Sequence, residues 1–420
     1  MSSEPAIQNR RSTSIGLGVI ADDLTGAMDT GVQFAREGLY TVVMLGGGEP
    51  PSARVVVVST DSRDVAAAEA YRRVAEVARL LRDRLVYKKI DSTLRGNLGP
   101  ELDGALEGLG LERALVAPAF PSMGRTTVDG CHMVHGVPLA ESSFASDPVW
   151  PATESHLPTL LARQTRRPVG HLPLSVVERG AEAVRRALRE ESASIVVADA
   201  EDWPHLAALA TALLGMEERW LPCGSAGLAQ EWGRAIGSSG REDIPRPRPL
   251  LHEMWGWEPL RAPALVVAGS RHPATAAQLL HAAREGRLEL VHLSADGEPA
   301  ADPMDLLRRG MNVALATTFS PLREGMGAAA AAGLARAAVR LLEGTSVAGL
   351  LATGGDVARA LCLELGAAAV RPLGEVQPGV VAGVLVGGSH DGLRVVTKAG
   401  GFGDETAILS GIDTLRGAAR

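Results

Sequence analysis

Cysteine is scarce. Three residues in 420, Cys131, Cys223 and Cys362, stand far apart and share no metal-ligand spacing. That excludes a disulfide framework and suits a reducing compartment. Aromatic side chains make up only 3% of the chain, too few for a platform that stacks single-stranded nucleic acid. No basic face offsets the formal net charge of −7, so nucleic acid is not an expected partner. No unbroken apolar run reaches the ~20 residues that a membrane helix needs. The Ala-rich stretch 327–342 comes nearest, and Arg336 and Arg340 interrupt it. The polar start MSSEPAIQNRRSTS lacks the apolar centre of a signal peptide. GxxxxGK[ST] is absent, and no GxGxxG follows the first expected strand, which disfavours a P-loop and a dinucleotide dehydrogenase. These absences leave a cytoplasmic enzyme, away from membranes, as the expectation.

What is present is small and aliphatic. Apolar residues make up 46% of the chain and charged residues 22%, the balance of a soluble globular protein. The length suits two domains better than one core. In the first half, β-branched runs at 15–20, 41–45, 55–59, 85–90, 114–117 and 195–198 predict strands. Amphipathic stretches at 27–37, 65–81, 101–106 and 178–190 predict helices between several of them. Such alternation predicts an α/β fold, with a largely parallel sheet flanked by helices. Prolines at 245, 247 and 249 and tryptophans at 255 and 257 then change the character of the chain. The reading is one domain at 1–244, a semi-rigid connector at 245–263 and a second α/β domain at 264–420. Strands are expected there at 264–268, 290–293, 312–316, 349–352, 383–386 and 395–398.

The most informative stretch is Ile20-Ala21-Asp22-Asp23-Leu24-Thr25-Gly26-Ala27-Met28-Asp29, which sits where a strand turns into a helix. Ligands bind at that edge of open α/β sheets. Two adjacent acids there suit hydroxyl recognition, metal binding or proton transfer. Asp61 reads as a helix cap, and Asp199 as a cap or a solvated turn. In Lys88-Lys89-Ile90-Asp91-Ser92-Thr93-Leu94-Arg95-Gly96-Asn97, strand alternation sends the two lysines to opposite faces, so one suffices for a site. Lys88 reads as solvated; Arg95 offers a planar fork for a carboxylate or phosphate. Arg125, Thr126 and Thr127 follow another strand end in a shaped loop and could hold an anion or sugar hydroxyls. The pair His132 and His135 beside Cys131 reads as a loop rather than a metal site, because no further Cys or His lies nearby. Glycine turns follow three later strands: Ala268-Gly269-Ser270-Arg271-His272, Thr353-Gly354-Gly355-Asp356 and Thr397-Lys398-Ala399-Gly400-Gly401-Phe402-Gly403-Asp404. Three such turns in one domain favour a phosphate-binding nucleotide site.

Taken in order, ADDLTGA, KKIDSTLRGN, APAFPSMGRTT, GSAGLA (224–229), TGGD and TKAGGFG resemble the signature blocks of the four-carbon acid sugar kinase family, and the likeness covers nearly the whole chain. The resemblance implies an acid-sugar-binding domain, a nucleotide-binding domain and an active site in the cleft between them. It implies transfer of phosphate from ATP to the terminal hydroxyl of a tetronate such as threonate, erythronate or 3-oxotetronate. Carried over by motif, the sugar-acid contacts are Asp22, Asp23, Lys89, Asp91, Arg95 and Arg125. The ATP contacts are Ser270, Gly354, Gly355, Asp356 and Gly401, with Val357 through its backbone N–H. Two positions depart from the family pattern: Ala268 opens a block that usually reads SGS, and Val357 replaces a hydroxyl residue.

On this reading Asp22 and Asp23 accept hydrogen bonds from substrate hydroxyls, and Arg95 or Lys89 pairs with its carboxylate. Asp22 or Asp23 is the first choice for the base, and Asp404 the second. Mg²⁺ bridges the ATP phosphates with few protein carboxylates, so no dedicated metal cage is expected. A homodimer is the default assembly. The alternative is a non-catalytic sensor, two lobes closing on an acid sugar. An aspartyl phosphatase fits less well, since its chemistry wants two acids separated by one residue.

Overall fold

The computed structural model describes residues 16–45, 51–147, 150–238, 257–292, 302–319 and 327–417. Residues 245–256 of the expected connector 245–263 lie outside the described residues. The strands form where apolar residues run unbroken. Val55–Ser59 (VVVVS), Ala114–Ala117, Ile195–Ala198 and Ala264–Ala268 are buried almost throughout, as strands covered by helices on both faces must be.

Among the described residues, fifteen strands join in one sheet. The front lobe contributes eight parallel strands, in spatial order Thr41–Met44, Val55–Ser59, Leu17–Ala21, Leu85–Lys89, Leu221–Gly224, Ala114–Ala117, Ile195–Ala198 and Val169–Leu172. The back lobe continues from Thr41–Met44 through Ala369–Gln377, Val380–Val386, Arg394–Lys398, Gly349–Thr353, Ala264–Ala268, Val313–Ala316 and Glu289–His292. Its first three junctions are antiparallel and the remainder parallel. The class is α/β, as the sequence predicts. The expected pair of sheets is instead continuous, because Ala369–Gln377, an alternating strand the sequence reading missed, bridges them.

Each lobe repeats one topology. The first strand is flanked by the third and fourth, and the second lies beyond the third. The chain therefore changes direction across the sheet at Leu17–Ala21 in front and at Ala264–Ala268 behind. Ligands bind at the carboxyl ends of strands beside such switch points. The parallel strands of the two lobes run in opposite senses along the sheet. Six junctions separate Leu17–Ala21 from Gly349–Thr353. A twist of about 20–25° at each turns one lobe by roughly 120–150° against the other. That rotation brings both carboxyl edges to one cleft.

A small antiparallel sheet, Arg125–Val128, Cys131–Val134 and Val137–Pro138, rises beside the front lobe. The sequence reading placed its middle strand in a loop. Its turns were nonetheless written in the sequence: Asp129-Gly130 and His135-Gly136 all take positive φ, the backbone of two-residue hairpins. Asp199, expected as a cap or solvated turn, is fully buried. It accepts hydrogen bonds from the N–H groups of Asp129 (2.8 Å), Gly130 (2.9 Å) and Leu174 (3.1 Å), and pairs with His171 (2.9 Å). His132 is buried too, bridging Thr127 and the carbonyl of Ser92. Thr127 thus serves the hairpin, not the cleft.

Asp61 caps no helix: the next begins at Ala67, with Ala66 at its cap. Asp61 instead takes a left-handed backbone and lies 3.4 Å from Arg359 of the back lobe. Lys88, expected in solvent, is fully buried and paired with Glu101 at 2.7 Å. Burial opposes its charge, but Glu101 and then Asp22 outweigh that and raise its pKa.

Two outcomes follow. Glu101→Gln keeps the volume but strands the Lys88 ammonium, and urea denaturation should show a loss of about 3–5 kcal/mol; a loss under about 1 kcal/mol would refute a load on this pair. Burial holds the His132 imidazole neutral, with its pKa lowered from 6.5 to about 4. The unfolded chain therefore takes up a proton that the folded one refuses, so this contribution is complete above about pH 6.5 and is lost as pH falls towards 4. In His132→Asn, equilibrium unfolding across that window should show a shallower slope; an unchanged slope would exclude His132 as its source.

Candidate functional site

The strand Leu17–Ala21 delivers Asp22 and Asp23 to the front lobe's carboxyl edge. Asp23 caps the helix Leu24–Arg36, accepting from the Gly26 N–H (2.7 Å) and the Thr25 hydroxyl (2.7 Å). Both acids also bind Arg63, which the sequence reading did not single out. Its Nε lies 2.7 Å from Asp22 and its Nη1 2.9 Å from Asp23. Arg63 follows the adjacent strand Val55–Ser59, and the Asn97 amide fixes its loop by donating to the carbonyls of Ser62, Arg63 and Val65. Only the strand order reveals this triad. Burial alone would raise the Asp22 pKa; Arg63, Lys89 and Lys88 together bring it below the ordinary value.

Lys89 and Arg95 come from the next strand and its turn. Gly26 makes room for Lys89: a Cβ there would lie 2.9 Å from the Lys89 ammonium. Lys89 is 4% exposed and makes no ion pair among the described residues. The fork of Arg95 grips Asp91 (2.6 and 3.2 Å), with Asp147 at 3.7 Å. Asp91 also accepts from the Thr93 hydroxyl (2.6 Å). The turn depends on Leu94 in a left-handed conformation, φ +60°, a strain that large side chains seldom carry. Asp91 therefore orients Arg95, and its oxygens are largely occupied.

Arg125 opens the small hairpin. It is 4% exposed, and its Nη1 donates to the Met123 carbonyl. Its Nε has no hydrogen-bond partner, and it makes no ion pair among the described residues. The guanidinium stands 5.5 Å from the Phe402 ring and 6.0 Å from Phe144. Burial lowers its pKa.

The back lobe's three glycine turns converge. Gly354, φ +92°, precedes the helix Gly355–Glu364, and a Cβ on it would lie 3.5 Å from the Ser270 N. A Cβ on Gly400 would collide with the Ser270 hydroxyl, and one on Gly401 would lie 3.1 Å from His272. The carbonyls of the 399–404 turn face inward. Lys398 donates to Ala399 (3.0 Å) and Gly400 (2.9 Å), while Gln278 donates to Phe402, Gly403 and Asp404. Burial lowers the Lys398 pKa to about 7. The N–H groups of Gly400, Gly401 and Gly403 meet no acceptor among the described residues, the arrangement of an anion nest.

The Val357 side chain is buried against Gly269, so only its backbone is left to meet a phosphate. Its N–H stays within the helix's first turn, where backbone donors lack intrahelical partners. Asp404, the second choice of base, accepts from Gln377 (2.9 Å) and from the N–H and hydroxyl of Thr406 (2.8 and 2.7 Å), and does not line the cleft. The GSAGLA block proves largely architectural: the Ser225 hydroxyl donates to the Ala119 carbonyl, and Gly224 and Gly227 let that loop pass closely.

The two edges meet. A Cβ on Gly355 would lie 3.1 Å from the Asp23 carboxylate. One cavity is lined by Asp23, Gly26, Asp29, Lys89, Ser92 and Arg95 from the front lobe and by Ala399 and Phe402 from the back. Among the described residues no three His, Cys, Asp or Glu side chains gather into a metal cluster, and no helix is long and apolar enough to cross a membrane.

Comparison with known proteins agrees with this division. Residues 17–232 match a sugar-binding N-terminal domain and 265–408 a nucleotide-binding C-terminal domain. The chain is 35% identical to a D-threonate kinase of Salmonella typhimurium, over 94% of this chain and 97% of that protein. It is 34% identical to a D-erythronate kinase of Heliobacterium modesticaldum (94% and 96%) and 33% identical to a 3-oxo-tetronate kinase of Methylobacterium radiotolerans (93% and 97%). A crystal structure of a Haemophilus influenzae protein shares the fold, with a TM-score of 0.71 at 22% identity, covering 96% of this chain and all of that one. With a sugar-binding edge and a nucleotide-binding edge closed on one cavity, and with these relatives along most of its length, the chain belongs to the four-carbon acid sugar kinases, phosphotransferases that act on an alcohol group.

Proposed function

We propose that this protein transfers the γ-phosphoryl group of ATP to the terminal hydroxyl of a four-carbon sugar acid of the threonate, erythronate or 3-oxotetronate type. The observation that carries this reading is a pair of buried cations, Lys89 and Arg125, that make no ion pair among the described residues. A buried charge left unpaired is costly, and an incoming carboxylate relieves that cost. Arg95, already oriented by Asp91, supplies a third positive group at the cavity wall. Asp23 and the unpartnered Ser92 hydroxyl meet the substrate's hydroxyls. Asp22 acts at one remove, by holding Arg63 beside Asp23.

The phosphates lie along Ser270, the N-terminus of the helix Gly355–Glu364 with Asp356 and the Val357 N–H, and the nest at Gly400 and Gly401. Phosphoryl transfer then depends on positioning and charge neutralisation. Mg²⁺ would be carried in by the nucleotide and would offset the phosphate charge. Asp356 suits it, because partial burial and the neighbouring carboxylates of Asp64, Asp61 and Asp23 raise its pKa, a repulsion that a cation would relieve. Use of ATP and free cysteines would suit work in the cytoplasm. A sensor would bind the acid without consuming nucleotide.

A coupled ADP-release assay across the four-carbon acids and their oxo forms tests the reading: ADP should form only when the acceptor is present. Arg125→Ala should lower kcat/KM for the acid by roughly tenfold to a few hundredfold, the loss of one charged hydrogen bond of ~1.5–3 kcal/mol, with KM for ATP little changed. A folded Arg125→Ala with unaltered kinetics would remove it from the substrate site. Arg95→Ala should fall in the same range by the same assay, and an unaffected variant would reduce Arg95 to a structural ion pair.

A further inference from the structure

One group in the cavity is used by none of these roles. Asp29 sits in the second turn of the helix Leu24–Arg36, three residues beyond Gly26 and therefore on the same face. That face is the one Gly26 opens to the Lys89 ammonium. Asp29 is 6% exposed and lines the cavity, and its Oδ1 has no hydrogen-bond partner among the described residues. Its backbone carbonyl is engaged by the Gln33 amide (3.2 Å), which fixes the turn without occupying the carboxyl group. Native proteins seldom leave a buried carboxyl oxygen empty, and in a cavity bordered by both lobes the exception asks for a ligand.

We propose that Asp29 is the catalytic base, accepting the proton of the substrate's terminal hydroxyl on Oδ1. The inference rests on the kinase reading above. In the step, the hydroxyl oxygen bonds to the γ-phosphorus and the bond from that phosphorus to the β–γ bridging oxygen breaks. ADP leaves with the electron pair. The hydroxyl proton passes to Asp29 and returns to solvent before the next turnover.

The other acids of the cleft are committed elsewhere. Asp22 also leaves its Oδ1 without a hydrogen-bond partner among the described residues, but Arg63 and the two lysines hold it ionised, which makes it a weak base, and it does not line the cavity. Asp23 caps a helix and binds Arg63. Asp91 holds Arg95. Asp29 has the opposite environment. Burial first, then Glu375 facing it from the strand Ala369–Gln377, then Asp23 and Asp91, raise its pKa from 3.8 to about 7, against the pull of Lys89. Arg125 of the hairpin and Tyr87, whose hydroxyl donates to the Ser225 carbonyl, complete the groups around it. A base tuned near the working pH is the most effective one.

The experiment compares the pH dependence of kcat in wild type and Asp29→Asn, by ADP release with a four-carbon acid. Wild-type kcat should fall as pH drops below about 7. Asp29→Asn should lose on the order of 10²–10⁴ in kcat and lose that acidic limb, while KM for ATP and for the acid changes only a few fold. Should Asp29→Asn fail to fold, Asp29→Ser carries the same comparison. A folded variant within tenfold of wild-type kcat, or one that keeps the limb, overturns the proposal. Wild type active only on some other alcohol would refute the substrate reading alone; the same limb and its loss in Asp29→Asn with that acceptor would leave Asp29 as the base.

Discussion

The antiparallel seam between Thr41–Met44 and Ala369–Gln377 is narrow: Ala369 opposes Met44 and Val370 opposes Val43. Everything in the cleft depends on it, because the sugar-binding and nucleotide-binding edges belong to different lobes. The seam makes the lobes one sheet, and the sheet's twist then rotates one carboxyl edge onto the other. Ion pairs Arg36–Glu375 (2.9 Å) and Arg359–Asp61 (3.4 Å) fasten the same junction. The helix Leu24–Arg36 lies within it, which is why its residues from Leu24 to Phe34 are buried although Asp29, Thr30 and Gln33 are polar. Such a helix cannot show a simple amphipathic stripe, since it has neighbours on every side.

Charge in the front lobe is arranged in two layers. Behind the strands, Lys88 and Glu101 satisfy one another, with Ser62 donating to the same carboxylate. At the strand ends, Arg63 pairs with Asp23 and with the Oδ2 of Asp22, and Asp91 pairs with Arg95. Several of the groups left over among the described residues face the cavity, namely Lys89, the Asp29 Oδ1 and the Ser92 hydroxyl, and the Arg125 guanidinium stands near Phe402 of its wall. Unmet polar groups cost stability, so their concentration here marks where binding energy is to be gained. In the back lobe the logic is carried by backbone. Side chains of Lys398, Thr275 and Gln278 hold the carbonyls of one glycine turn, which frees its N–H groups for an anion.

Much of this was legible. Strands covered on both faces announce themselves as apolar runs, and Val55–Ser59, Ala114–Ala117, Ile195–Ala198 and Ala264–Ala268 fall where the sequence places them. The strands it missed lack that signature. Val169–Leu172 is an edge strand with Gly170 and His171, Leu221–Gly224 carries a proline, and Ala369–Gln377 alternates around Arg371 and Pro372. The motif acids and glycines were legible because a strand end followed by a turn is a local event. Asp23 next to Gly26, or Gly354 before a helix, needs no distant partner to be recognised.

By itself, then, the sequence determined the α/β class, the two halves and the turns that carry chemistry, since these follow from periodicity and local backbone preference over a few residues. Only the tertiary structure decided which groups are spoken for and which are free. Arg63 reaches Asp22 through the strand order, Lys88 turns inward to Glu101, and Glu375 faces Asp29 across the seam. These partners lie from 13 to more than 300 residues apart along the chain, and a charge's state is set by what surrounds it in space, which no local pattern records.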